Sequence, residues 1–181
     1  MIVVKVGGSL YDHPYLGPGL RAYLESLAGP VLLVPGGGPV ADAVRRLDRT
    51  HRLGEEAAHW LALRALSVAA ALLEAVALRS ASRLRVLDCY AFAVEDEARP
   101  DHLPHTWDVT TDSLAARAAA VLGAERLILL KSVDVPPGTP WAAAAECGWV
   151  DPHFPKLVAE HDLHPEVVNF RRHLDGRSDG S

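Results

Sequence analysis

Two stretches decide the fold, Ile2-Val-Val-Lys-Val-Gly-Gly-Ser9 and Val31-Leu-Leu-Val-Pro-Gly-Gly-Gly38. Each is a short, β-branched apolar run that ends in glycines. Continuous apolar runs of this kind belong to strands covered on both faces, as in parallel sheets, whereas a half-wet strand alternates. Between them, residues 18–28 carry Leu20, Tyr23, Leu24 and Leu27 at helical spacing, which completes a βαβ unit.

Working outward, residues 39–49 read as a helix with Pro39 at its first position, where the missing N–H does no harm. Residues 55–78 read as a long Ala/Leu helix, apolar almost all round with a thin polar line at Arg64, Ser67 and Glu74. Strands are expected at 84–87 and 126–130, separated by a Pro/His/acidic loop at 95–106 and a helix over 111–122 that Gly123 ends. Residues 136–140 form a loop, 153–160 a short helix and 167–169 a last strand. Strands alternating with helices specify an α/β fold, a three-layer αβα sandwich with a mainly parallel central sheet. One domain over residues 1–175 and a disordered tail at 176–181 are expected.

Composition narrows the function classes. A net charge of -5 leaves no basic excess for nucleic acid. Cys89 and Cys147 stand alone, which fits reduced thiols in a cytoplasmic protein. The N-terminus lacks the features of a signal peptide. The 55–78 helix is long enough to span a bilayer, but Arg64 and Glu74 would each cost about 2.5–3.5 kcal/mol there. It therefore reads as a buried or interfacial helix, and its excess apolar perimeter predicts a homo-oligomer, most simply a dimer.

The two glycine clusters, Gly7-Gly8-Ser9 and Gly36-Gly37-Gly38, each follow a strand at its carboxyl end, where open α/β sheets bind ligands. Glycine lets backbone N–H groups approach an anion, and the helix behind the second cluster adds a positive dipole end. Lys5 stands two residues before the first cluster. Residues 36–41 also satisfy G-x-G-x-x-A, so a nicotinamide-dinucleotide module is an alternative, although its acidic ribose ligand should follow about 20 residues on. His102 and His105 lie on the 95–106 loop without matching ligands in the sequence nearby, so no metal site is assigned to them.

Four motifs then occur together: Lys5-Val-Gly-Gly-Ser9, the Gly36-Gly-Gly38 turn, Asp108-Val-Thr-Thr-Asp112 leading into a helix, and Leu129-Leu-Lys-Ser-Val-Asp134. Their order and spacing resemble the amino acid kinase family, closest to its small, mainly archaeal branch with the aminomethylfuran phosphate kinase of methanofuran biosynthesis. The resemblance runs from Ile2 to about Asn169. It implies an ATP-dependent kinase with Mg²⁺ accompanying the nucleotide. Lys5, Asp112 and Lys156 match the catalytic positions, the aspartate orienting two lysines. Gly7, Gly8, Ser9, Lys131 and Asp134 fall on the nucleotide side, and Gly36, Gly37, Gly38, Asp108 and Thr110 on the acceptor side. Ordinary solvation is the alternative for Lys131 and for Lys156.

Asp108 stands where acetylglutamate-type members carry asparagine, so it would favour an ammonium or hydroxyl on the acceptor. Its alternative is a helix cap at Thr110 or Thr111. Two departures accompany the resemblance: Asp134 runs into Val135-Pro-Pro137, and Asn169 into Phe170. The acceptor implied is a small phosphorylated or hydroxylated metabolite, aminomethylfuran phosphate first and an isopentenyl phosphate-like phosphomonoester second. A catalytically silent, kinase-like binding subunit is the reading of a different class.

Overall fold

The computed structural model describes residues 1–77 and 83–178. Leu78, expected to end the long helix, and residues 179–181 of the tail lie outside them. Among the described residues, five strands form one parallel sheet: β1 (Ile2–Val6), β2 (Val31–Pro35), β3 (Leu84–Val86), β4 (Arg126–Lys131) and β5 (Glu166–Asn169), in the order β3-β2-β1-β4-β5. The chain builds outward from β1 through β2 to β3 and then crosses to β4 and β5. The order therefore reverses beside β1, and the carboxyl ends of β1 and β4 flank the crevice that such a reversal opens.

The sheet is covered on both faces. Ile2, Val4, Val6, Ile128 and Leu130 pack with α1 (Leu16–Ser26) and α8 (Phe170–Ser178) through Leu20, Leu24, Phe170 and Leu174. Val3, Leu127 and Leu129 point the other way, toward α5 (Thr111–Val121), α6 (Trp141–Glu146) and α7 (Phe154–Glu160) through Leu114, Ala115, Ala144, Phe154 and Leu157. Strand periodicity sends alternate side chains to opposite layers. The same rule puts Lys5 with Val3, and Lys131 with Leu129, on the α5 side.

The long helix α3 (Glu55–Ala77) follows α2 (Gly38–His51) and serves both cores, giving Leu63 and Leu66 to one and Leu73 and Ala77 to the other. By length and composition alone it could cross a membrane. It instead packs one side into the fold and leaves Leu61, Val68 and Leu72 exposed. Three helices lie mostly in stretches to which the sequence reading assigns no element. The first, α4 (Cys89–Asp96), begins at Asp88, whose carboxylate accepts the Ala91 N–H at 3.0 Å. The others are α6 and α8; the latter takes in residues 176–178 of the expected disordered tail.

One buried carboxylate ties the helices of the α5 layer together. Asp151 accepts the N–H groups of Thr110 and Ser113 at 3.0 and 2.9 Å and that of Phe154 at 2.9 Å, with the hydroxyls of Thr110 and Ser113 at 2.8 and 2.5 Å. It thus satisfies orphan donors at the start of both α5 and α7. Each buried donor left without an acceptor costs about 1–3 kcal/mol. Asp151→Ala is expected to lower the unfolding free energy in urea by about 3 kcal/mol or more, and Asp151→Asn by less; an alanine variant as stable as the parent would contradict this role.

Candidate active site

Lys5 and Lys131 end adjacent strands on the same face, with Lys5 in register with Leu129, two residues before Lys131. Above them α5 begins, its N-terminus fixed by Asp151, and its first turn delivers Asp112 between the two ammonium groups. The Lys5 Nζ lies 2.9 Å from Asp112 Oδ1, and Lys131 Nζ donates to both carboxylate oxygens at 2.7 and 2.6 Å. All three are buried, at 6%, 4% and 9% exposure for Lys5, Asp112 and Lys131.

Two cations share one anion, so the cluster carries one uncompensated positive charge. Burial alone would raise the Asp112 carboxyl, but Lys5 and Lys131 outweigh it and hold the group below its ordinary range. Burial first, and the Lys5 ammonium second, push Lys131 down to about 8 against the pull of Asp112. A group with three hydrogen bonds to lysines has little capacity left to accept a proton. Asp112 can position the cations, and they can stabilise an anion.

The glycine clusters meet backbone to backbone. A Cβ on Gly8 would stand 2.1 Å from the Gly38 nitrogen, and one on Gly36 would stand 2.3 Å from the Gly8 nitrogen. Gly38 also has φ of 51°. The Tyr11 hydroxyl donates to the Gly36 carbonyl at 2.8 Å and clamps the turn. The N–H groups of Gly7 and Gly36 extend the sheet, donating to Leu130 and Val6 at 2.8 Å each. They are structural. Gly8, Gly37 and Gly38 instead line a cavity of about 230 Å³ together with Lys5 and with Thr110 and Thr111 at the start of α5. Two helix N-termini and a lysine thus converge on one end of this cavity, an environment made for an anion. The G-x-G-x-x-A spacing at residues 36–41 serves this turn.

The far end of the cavity is lined by His59, Phe92, Asp96, Glu97, Leu103 and Trp107. Asp96 is buried against Arg117, which pairs with it at 2.9 Å and with Asp101 at 2.6 Å. Glu97, His102 and His105 bring ligand atoms within 4.8 Å of one another, a set that could take a divalent cation; Glu97 stands on the same 95–106 segment and is a partner that the sequence reading passed over. His105 is already held between carboxylates, Nδ1 2.5 Å from Glu56 and Nε2 2.9 Å from Glu97.

Several expected positions fall elsewhere. Lys156 lies on α7 with its side chain 61% exposed, 3.8 Å from Glu160, and does not join Asp112; the second lysine that meets this carboxylate is Lys131. Asp108 precedes the helix, is exposed and lies outside the cavity lining, so it neither faces the acceptor space nor caps α5, a task that Asp151 performs. Ser9 shares a 2.8 Å hydrogen bond with Ser132, and Asp134 pairs with Arg172 at 2.5 Å, on the outer side of the β4 end. The sequence reading missed Asp151, Arg117 and Ser132. Asp151, three residues before Phe154, carries a capping signal for α7, but nothing local announces its bonds to α5.

No family model matches the chain. A curated protein of Methanocaldococcus jannaschii, [5-(aminomethyl)furan-3-yl]methyl phosphate kinase, is 26% identical over 144 residues, covering 74% of this chain and 67% of that protein. The crystal structure of uridylate kinase from Archaeoglobus fulgidus aligns with a TM-score of 0.66 and 18% identity, over 97% of this chain and 96% of that one. In sequence this chain is thus similar to an aminomethylfuran phosphate kinase, and it shares the fold of a uridylate kinase, in keeping with the resemblance that the ordered motifs carry.

Proposed function

We propose that the protein is a cytoplasmic, ATP-dependent kinase that phosphorylates a small phosphomonoester, with an aminomethylfuran phosphate as the first candidate acceptor. The observation that carries this reading is the buried Lys5–Asp112–Lys131 cluster at the cavity's anion-binding end. The cavity is smaller than the roughly 300–1,000 Å³ usual for drug-sized ligands. That suits a compact acceptor.

Phosphoryl transfer needs positioning and charge neutralisation more than covalent help from the protein. A phosphomonoester, with its second ionisation near pH 6, arrives with an ionised oxygen and requires no general base. Lys5, Gly8, Gly37 and Gly38 hold that phosphate, with the α2 and α5 N-termini adding their dipole ends. Asp112 keeps Lys5 and Lys131 aimed at the charge that moves between the two phosphates. Without this carboxylate the ammonium groups would repel. The nucleotide takes the outer side of the strand ends, near Ser9, Ser132 and Lys131. Mg²⁺ accompanies ATP and is held largely by phosphate and water oxygens, since Asp134 on that side is engaged by Arg172.

Lys5→Ala, Lys131→Ala and Asp112→Asn are each expected to lower turnover by about 100-fold or more, the scale of losing one aimed electrostatic group, with cooperative melting retained. Folded variants with unchanged kinetics would remove the kinase reading. The pH dependence follows from Lys131. Its charge is present below its pKa and lost as pH rises through it, so kcat/KM is expected to fall above about pH 8. Lys131→Arg should displace that alkaline limb upward; a limb that stays in place would detach it from Lys131.

The exposed Leu61, Val68 and Leu72 lie seven and eleven residues apart along α3, on one side of the helix, with Val68 61% exposed. We assign this stripe to a homodimer contact. Sedimentation is expected to give about twice the 19.4 kDa chain mass, and Val68→Glu to return it to one chain; a monomer at micromolar concentration contradicts the assignment.

A further inference from the structure

Away from the lysine cluster, three side chains of the 95–106 segment converge on one point. His105 Nε2 lies 2.9 Å and His102 Nδ1 3.5 Å from the same oxygen, Oε1 of Glu97. Each of the three residues brings one ligand atom within 4.8 Å of the others. Ligands held about 2.0–2.1 Å from a zinc ion at tetrahedral angles stand roughly 3.3–3.4 Å apart. The two spacings at Oε1 straddle that value, and closing the triangle takes a turn of the exposed His102 ring. The Leu103 carbonyl is 3.2 Å from His102 Nδ1 and accepts from it when that nitrogen is protonated. Seating an ion there exchanges this hydrogen bond for coordination.

The outer surroundings are built as well. His105 Nδ1 lies 2.5 Å from Oε2 of Glu56, at the start of α3. With Nδ1–H donated to that carboxylate, the lone pair of the neutral ring sits on Nε2, the atom that faces Glu97. A carboxylate orients metal-binding histidines in this way. Glu56 is fixed in turn, because the Trp60 indole N–H donates to its Oε1 at 2.7 Å. Packing sets the ring plane: His59 stacks on His105 with centroids 4.1 Å apart, and Trp60 meets it edge-on at 5.3 Å. His59 lies within 16° of parallel to His105, so it is a platform and not a ligand. Glu97 and His102 are exposed, which gives an ion a path in from solvent.

We propose that Glu97, His102 and His105 form a site for a divalent transition-metal ion, with Zn²⁺ as its representative, and that Glu56 orients it. Two imidazoles and one carboxylate suit Zn²⁺ and its neighbours, whereas Mg²⁺ and Ca²⁺ take oxygen ligands. Water completes the coordination. Glu97 caps the end of α4, so the ion ties that helix end to the loop that follows and, through Glu56, to α3. Glu97 and Leu103 line the cavity, and the tie therefore stiffens its far wall. The role is structural, separate from the Mg²⁺ that accompanies ATP, and independent of the kinase reading.

The test is calorimetry on the full chain, stripped with a chelator that is then dialysed away, with no nucleotide present. Zn²⁺ is expected to bind one ion per chain with a Kd on the order of micromolar or tighter, and Mg²⁺ to bind far more weakly. His102→Ala and Glu97→Gln, both at exposed positions where folding tolerates the change, should each weaken Zn²⁺ by more than about 100-fold. Glu56→Gln should fall in the roughly 10- to 100-fold range of an outer partner. Hydrogen exchange of the 97–105 amides should slow when Zn²⁺ is added to the parent protein and not when it is added to His102→Ala. A parent protein that binds Zn²⁺ no better than Mg²⁺ overturns the site. So does Zn²⁺ binding that His102→Ala and Glu97→Gln retain at full affinity, since the ion then sits elsewhere. Tight binding with unchanged exchange of the 97–105 amides overturns the tie.

Discussion

A carboxylate shared between two buried lysines is the constraint around which this molecule is arranged. Either ammonium alone would be expensive to remove from water, and two within reach of one anion repel each other. Asp112 makes their burial tolerable, yet it compensates only one of the two charges. The remainder is an attraction for anions, stored where the strand order reverses. Every part of the fold that positions Asp112 therefore bears on function. Strand periodicity turns Lys5 and Lys131 to one side, and the N-terminus of α5 must sit over them. Asp151 holds that N-terminus from a segment 38 residues further along the chain than Ser113.

The backbone contact of the two glycine turns has the same character. Gly8 and Gly36 approach so closely that neither leaves room for a Cβ, and the strand-extending N–H groups of Gly7 and Gly36 lock the turns to the sheet. This rigidity spares the cavity end from rearranging when an anion arrives. Preorganised donors are worth more than donors that must first be gathered, because the cost of orienting them has been met in folding.

How far the sequence reveals this arrangement depends on the range of the interaction. The parallel strands, the glycine turns, α2 with Pro39 in its first turn and the stop at Gly123 follow from local patterns, and the structure carries them all. Lys5 and Asp112 stand out for their motif context. Which lysine joins Lys5 at Asp112 is a matter of tertiary register: along the chain the resemblance offers Lys156, and only the pairing of β4 beside β1 brings Lys131 to Asp112 instead. Asp108 shows the same limit. Four-residue spacing places it with Asp112 only if the helix has already begun, and the helix begins at Thr111. Helices α4 and α6 are too short for periodicity to register, and α8 is polar apart from Phe170 and Leu174, which pack onto α1.

The cavity's two ends are built from different materials, and this divides its chemistry. The anion end consists of strand termini, helix N-termini and backbone amides, features that belong to the fold and suit an anion. The far end belongs to α3, α4 and the 97–107 segment, where side chains alone set size and charge. Arg117 links the two: on α5, five residues beyond Asp112, it grips Asp96 and Asp101 and so anchors the wall of the far end to the helix that carries Asp112. A substitution in that segment can therefore reshape the far end of the cavity while the Lys5–Asp112–Lys131 cluster stays in place, provided that the Arg117 brace survives.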